Sequence, residues 1–322
     1  MRVGIAGCGL IGGKRAAAIR GSDSLAAAYD VVPARAAALA ARHPGAQACG
    51  SLADLFARVD CVVVAATNDQ LAPLATQALQ AGKHVVMEKP GARTAKELEP
   101  LLALAARQGL TVKVGFNHRF HPAAQKAKQL LDGGACGPLM FVRARYGHGG
   151  RVGYDREWRA DPAIAGGGEL IDQGVHLIDL ARWYFGAEFT QVDGRTATFF
   201  WKMPVDDNAF LTLATAEGQV AHLHASCTEW KNLFSFEIYA RDAKLHLEGL
   251  GGSYGVERLY HYQMRPEMGP PDTVIYEYPG ADQSWMLEWK DFAEAVEQRR
   301  PVCGGLDDAL AALRVVDTVY RR

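Results

Sequence analysis

Six residues near the start of the chain, Gly7-Cys8-Gly9-Leu10-Ile11-Gly12, limit its possible folds more than any other stretch. A GxGxxG spacing alone is weak evidence. This one follows a short β-branched run, Arg2-Val3-Gly4-Ile5-Ala6, and opens an Ala-rich helix expected from Lys14 to Arg20, the strand–loop–helix context that binds dinucleotides. Gly7 allows the tight turn, Gly9 lets the backbone approach a pyrophosphate, and Gly12 lets helix and strand pack closely. The anion then rests on the unpaired N–H groups of the first helical turn, so Leu10 and Ile11 join the three glycines as expected cofactor contacts. A second strand, Leu25 to Tyr29, ends in Asp30, an acid at the spacing that bonds the adenosine ribose hydroxyls. The competing reading is a glycine-rich turn that binds nothing, with Asp30 a solvated carboxylate. The strand and helix on either side weigh against it.

At 322 residues, 49% of them hydrophobic, the chain is long enough for two domains with a sizeable core. A formal net charge of −1 with interspersed acids and bases leaves no basic face for nucleic acid and no polybasic stretch for a membrane. Small molecules are the expected partners. The six cysteines (Cys8, Cys49, Cys61, Cys136, Cys227, Cys303) form no CxxC pair, which argues against a zinc site or a disulfide framework. No signal-peptide pattern precedes the first strand and no apolar run approaches membrane-span length, so the expected location is the cytoplasm.

From the first strand to about Phe116, short apolar runs alternate with Ala-rich helical stretches. Cys61 to Ala66 reads as a strand buried on both faces, followed by a helix from Leu71 to Ala81. His84 to Met87 is the next strand, Thr94 to Arg107 a helix, and Leu110 to Gly115 a further strand. The pattern implies an α/β, doubly wound Rossmann domain with a parallel sheet over residues 1–120. Beyond Pro138 the period becomes two. Met140, Val142, Ala144 and Tyr146 alternate with Phe141, Arg143 and Arg145, and Ala221 to Cys227 behaves likewise. Turns at Glu217-Gly218 and Arg241-Asp242 suggest hairpins. Residues 121–322 therefore read as an α+β domain with a mostly antiparallel open sheet, one early helix from Asp172 to Tyr184, and two closing amphipathic helices, Ser284 to Gln298 and Leu306 to Tyr320. Gly249-Leu250-Gly251-Gly252 has no helix pattern after it and reads as a connection.

Two stretches carry groups able to do chemistry. Glu88-Lys89-Pro90 lies at the carboxyl end of a buried strand, the edge at which open α/β sheets bind ligands. Pro90 restricts Lys89 to an extended backbone and permits a cis peptide, which aims the side chain. An ordinary surface lysine is the alternative. The second stretch is Gly166-Gly167-Gly168-Glu169-Leu170-Ile171-Asp172-Gln173-Gly174-Val175-His176-Leu177-Ile178-Asp179. On a regular helix Asp172, His176 and Asp179 form a polar stripe, and an acid one turn before His176 stabilises its charged form, leaving a proton-exchanging group near neutral pH. A helix cap at Asp172 and a satisfied core histidine are the bland alternatives. A metal is the poorer reading, because no convincing third ligand accompanies the pair.

The fingerprint, Asp30, Glu88-Lys89-Pro90, Gly115-Phe116-Asn117-His118-Arg119-Phe120 and the Gly166 to Asp179 block occur in an order that resembles the glucose-fructose oxidoreductase and inositol dehydrogenase (Gfo/Idh/MocA) family, across the whole chain. The resemblance implies an N-terminal NAD(P)-binding Rossmann domain and a C-terminal open sheet that carries the substrate site and supports homo-oligomers. It matches Lys89 to the family's EKP lysine, and Asp172 and His176 to its DxGxH. Thr67 and Glu88 count as cofactor contacts, and Asn117 and Arg119 as substrate contacts. One departure stands out: Thr67-Asn68-Asp69 occupies the place where the family often shows Thr-Pro-Asn followed by His. The implied reaction is reversible oxidation of a secondary alcohol on a sugar, cyclitol or nucleotide-linked sugar. His176 takes the hydroxyl proton, Lys89 bonds the developing alkoxide and Asp172 tunes His176. Tyr146, Tyr154, Trp158, Arg159 and Trp230 are candidates for ring stacking and hydroxyl contacts. Transient sugar oxidation in an NAD-dependent glycosidase or eliminase, and a dinucleotide-sensing regulator without turnover, are the alternatives. Asp30 predicts NAD over NADP, since a carboxylate bonds the ribose diol and repels a 2′-phosphate. Titration with both cofactors should give tighter NAD binding, and Asp30→Ala should narrow the gap; equal or tighter NADP binding removes the assignment.

Overall fold

A computed structural model describes every residue except Met268. Along the chain run β1 (Arg2–Ala6), α1 (Leu10–Ala18), β2 (Ser24–Tyr29), α2 (Pro33–Ala40), β3 (Gln47–Ala48), α3 (Leu52–Arg58), β4 (Cys61–Val64), α4 (Asn68–Gln80), β5 (His84–Met87), α5 (Ala95–Gln108) and β6 (Val112–Val114). Next come α6 (Pro122–Asp132), β7 (Leu139–Gly147), the short α7 (Pro162–Ala165), α8 (Val175–Phe185), β8 (Phe189–Ala197), β9 (Asn208–Thr215) and β10 (Val220–Ser226). The chain ends with β11 (Leu233–Ala240), β12 (Ala243–Glu248), β13 (Glu257–Gln263), β14 (Asp272–Tyr278), α9 (Ser284–Gln298) and α10 (Leu306–Tyr320).

These elements form two compact units, Met1–Phe116 with Trp285–Leu310, and Asn117–Ser284 with Ala311–Arg322. The first change of unit falls between Phe116 and Asn117. The return of Trp285–Leu310 to the first unit was not expected. Its cause is packing: Trp289 and Phe292 of α9 share one core with Val3, Ile5, Ala28, Leu39, Val63 and Val86. Amphipathic periodicity shows that α9 has an apolar face, but not which core receives it.

The first unit holds a sheet in the order β3-β2-β1-β4-β5-β6, with every pairing parallel. All four residues of β4 are buried, as a strand covered on both faces requires. α5 is capped by the Thr94 hydroxyl, which accepts from the Glu97 N–H, and it stops at Gly109 in the left-handed region. α1 begins four residues before the expected Lys14, because Gly12 and Gly13 lie inside it. Glycine is a poor helix former, but here close packing on β1 overrides propensity.

The second unit holds an eight-stranded sheet in the order β14-β13-β12-β11-β7-β10-β9-β8. Only the β7–β10 pairing is parallel among the described residues; the others are antiparallel. The turns at 217–218 and 241–242 join β9 to β10 and β11 to β12, as expected. α8 packs on β7 and β10, and the alternate residues Val142, Ala144 and Tyr146 of β7 are buried. All six cysteines are free, and no helix among the described residues is long and apolar enough to cross a membrane.

Candidate active site

In the first unit the glycine loop has the form that a bound pyrophosphate needs. Gly7 has φ +100°, and a Cβ there would overlap the Ala65 carbonyl. A Cβ on Gly12 would strike the Gly7 carbonyl oxygen, so α1 can start against β1 only with glycine at this position. Around Gly9, by contrast, a Cβ would meet nothing within 4 Å, which leaves open space in front of the helix. Gly9 caps α1 without a side-chain bond, so the first-turn N–H groups, those of Leu10, Ile11 and Gly12, point out of the helix end. Leu10 is exposed and Ile11 half-buried. Asp30 is buried and locked: one carboxylate oxygen accepts the Cys8 N–H at 2.7 Å and the other the Val32 N–H at 2.8 Å. Each oxygen keeps a second acceptor direction, the one a ribose diol would use. Burial, with Asp30 adding to it, pushes the Cys8 thiol up to about 12, so it stays protonated and inert. These residues fit a dinucleotide.

At the far end of β5, Glu88 accepts from Arg15 Nε at 2.6 Å, while Arg15 Nη1 bonds Glu288 of α9. The Lys89–Pro90 peptide is cis, and Lys89 is half-buried. Thr67 precedes α4, and its hydroxyl donates to Asp69 at 2.6 Å instead of capping the helix. In this chain the Thr67-Asn68-Asp69 departure is a locally closed turn.

In the second unit the regular helix expected from Asp172 is broken into two parts. Leu170–Gly174 is a π-helical turn, and the α-helix starts only at Val175. The wider turn changes the angular offset between Asp172 and His176, so the expected stripe does not form a single open face. His176 and Asp179 are both buried. The Asp179 carboxylate takes a bidentate bond from Arg119, Nε at 2.8 Å and Nη2 at 2.6 Å. The Arg119 fork, expected at the substrate, makes this ion pair inside the fold. Asp172 pairs with Arg159, whose Nε lies at 3.1 Å, and the Arg159 guanidinium rests on the Trp158 ring at 4.5 Å.

His176 sits in a cluster of rings. His118 stacks on it with centroids 3.8 Å apart and planes 24° from parallel. Tyr146 meets His118 edge-on at 5.1 Å and His176 at 6.2 Å, and Phe234 and Tyr254 close on Tyr146. Burial holds the Tyr146 hydroxyl well above its ordinary value, so it remains a donor. Asn117 donates to the Ser284 hydroxyl at 2.9 Å and faces His118 Nδ1 at 3.2 Å. Tyr154 donates to Glu169 at 2.9 Å. Trp230 is 67% exposed, has a left-handed backbone, and meets Phe200 edge-on at 4.6 Å. Sequence reasoning missed His118, Tyr254 and Glu169. His118 lies between two residues that were selected, but a ring stack with His176, far along the chain, leaves no trace in spacing.

Residues 1–116 match the model of an oxidoreductase family with an NAD-binding Rossmann fold, and residues 124–246 match the GFO/IDH/MocA C-terminal domain. A putative oxidoreductase of Salmonella typhimurium, YceM, is 30% identical over 283 residues, which cover 84% of this chain and 80% of that protein. The chain belongs to the Gfo/Idh/MocA family. Inositol 2-dehydrogenase 2 of Saccharopolyspora erythraea is 29% identical over 290 residues, 88% of this chain and 77% of that one. A solved levoglucosan dehydrogenase, in complex with NADH and levoglucosan, shares the fold with a TM-score of 0.88 over 100% of this chain and 96% of that one, at 22% identity. Membership makes this Gfo/Idh/MocA chain an NAD-binding oxidoreductase.

Asp179→Ala leaves the buried Arg119 without its carboxylate and should cost about 3–5 kcal/mol in urea unfolding. Replacing both partners, Arg119→Met with Asp179→Leu, should recover most of that loss. Equal destabilisation of the single and double variants would show that the pair is not what holds this segment.

Proposed function

We propose that this protein oxidises, reversibly, a ring secondary alcohol of a sugar or cyclitol. The observation that carries the reading is His176, an imidazole buried among rings on the helix that follows a glycine-rich turn, in a chain whose other unit has the glycine loop and Asp30 of a dinucleotide site. The relatives named for inositol and levoglucosan oxidation support the substrate class. Bound NAD supplies the hydride acceptor. Gly7, Gly9, Leu10, Ile11 and Gly12 hold its pyrophosphate on the start of α1, and Asp30 holds the ribose diol. Glu88, gripped by Arg15, fixes the peptide from which Lys89 projects. The Lys89 ammonium bonds the oxygen as it becomes an alkoxide, and neutral His176 accepts the hydroxyl proton. Arg159 pairs with Asp172. Tyr146, Tyr154, Trp158 and Trp230 provide ring and hydroxyl contacts to the sugar.

Mass spectrometry of ligand retained on the purified protein, followed by NADH-coupled assays on sugars, cyclitols and nucleotide sugars, tests the reading. Lys89→Met and His176→Ala should each lower turnover by ~10²-fold or more while leaving NAD affinity nearly intact. The acid limb of the oxidation rate, which falls as imidazole protonates, should vanish in His176→Ala. Near-wild-type turnover with that limb unchanged would remove His176 as the base and leave Lys89 in its place.

We further propose that copies associate through the sheet face that α8 does not cover. That face carries the stacked pairs Phe141–Tyr239 and Phe210–His224 together with the Arg143–Glu237–Lys244 ion pairs. Sedimentation should give an oligomer that Phe141→Asp with Phe210→Asp converts to monomer; a wild-type monomer at assay concentration sinks the idea.

A further inference from the structure

Glu169 is the residue immediately before the π-helical turn that holds Asp172, and it is 1% exposed. Its backbone cannot swing outward. Asp206 takes the N–H groups of Gly168 at 3.0 Å and Leu170 at 2.8 Å on its carboxylate, and that of Glu169 at 2.9 Å on its carbonyl. A Cβ on Gly168 would overlap the Asp206 backbone, so this approach is built in. Oε1 of Glu169 accepts the Tyr154 hydroxyl at 2.9 Å and faces His148 Nε2 at 3.7 Å. Because His148 Nδ1 accepts the Gly150 N–H at 2.9 Å, the neutral ring carries its proton on Nε2 and offers a donor to Glu169. Oε2 is buried and has no hydrogen-bond partner among the described residues.

The groups that face this carboxyl come from every element packed around it. They are Tyr154, His148 after β7, Asp172 on the π turn, Asp206 before β9, Cys227 after β10, Tyr146 on β7 and Tyr254 between β12 and β13. No lysine or arginine among the described residues pairs with it. Arg159, the nearby cation, is bonded to Asp172. A buried carboxylate beside a half-buried one cannot ionise cheaply with it, and the one with the guanidinium keeps the charge. We propose that Glu169 is a positioning residue of the hydride-transfer site, carried as a neutral carboxylic acid so that Asp172 retains its negative charge and its pairing with Arg159.

Burial, reinforced by Asp172, pushes the Glu169 carboxyl up to about 8, so it is protonated below that pH and ionised above it. Ionisation sets a second negative charge beside Asp172, against the negative charge that develops on the substrate oxygen, so oxidation slows on the alkaline side. The role in turnover rests on the dehydrogenase reading; the protonation state does not. The test has two parts on the intact protein. Infrared spectroscopy with labelled glutamate should show a protonated carboxyl band at pH 7 that disappears as pH rises through 8 and is absent in Glu169→Gln. The wild-type kcat/KM should fall by about tenfold per pH unit above 8, whereas Glu169→Gln, which keeps an acceptor for Tyr154 but cannot ionise, should stay flat there with its acid limb in place. An alkaline limb unchanged in Glu169→Gln overturns the proposal, and so does a wild-type protein without the band. If Glu169→Gln fails to fold, the wild-type infrared titration decides alone. The band without oxidation of any tested alcohol overturns the dehydrogenase reading and leaves the neutral carboxyl standing.

Discussion

One buried guanidinium organises the nucleotide-binding unit. Arg15 reaches from α1 to Glu88 at the end of β5 and to Glu288 on α9, with the Trp285 ring laid over it at 4.5 Å. A Cβ on Gly115 would press into the Arg15 guanidinium, so the glycine that follows β6 leaves that side chain its room. Taking such charges out of water costs several kcal/mol per ion before their attraction offsets it, so the network adds definition of geometry more than stability. The definition is what matters here. The helix that the pyrophosphate loop opens, the strand end that bears Lys89, and the returning helix are tied to one side chain.

The second unit depends on a different constraint, the approach of backbone to backbone at Gly168. Asp206 serves there as a cap for a segment that is not yet helical, its carboxylate accepting the Gly168 and Leu170 amides and the Tyr320 hydroxyl. With those amides satisfied, the chain can afford the π-helical turn that follows. That turn separates the polar residues of the block into different environments. Asp172 meets Arg159, Asp179 meets Arg119, and His176 is left among rings.

Much of this was legible in the amino-acid order, because the strongest signals are local. A β-branched run feeding a glycine turn, a two-residue period, and Gly or Asp at hairpin tips report on neighbouring residues, and β1, β4, β5 and the two hairpins stand where they indicate. What was not legible is nonlocal. Nothing near Asp179 reveals that Arg119, sixty residues earlier, neutralises it. The stripe at 172, 176 and 179 assumed 3.6 residues per turn, and a π turn held open by Asp206 breaks that assumption. Glu169 looked like one more acid beside glycines. Its character comes from burial, from its neighbour Asp172, and from Tyr154 and His148 arriving from earlier in the chain.

The return of α9 has a consequence for synthesis. Trp289 and Phe292 fill the same core as Val3 and Ile5, so the first 116 residues leave the ribosome with part of their apolar interior uncovered. At roughly 5–20 residues per second, the covering helix follows on the order of ten to thirty seconds later. During that interval the nascent Rossmann sheet is a surface in need of a chaperone or of its own partial collapse, and the dinucleotide-binding unit gains its cover only once α9 has been made.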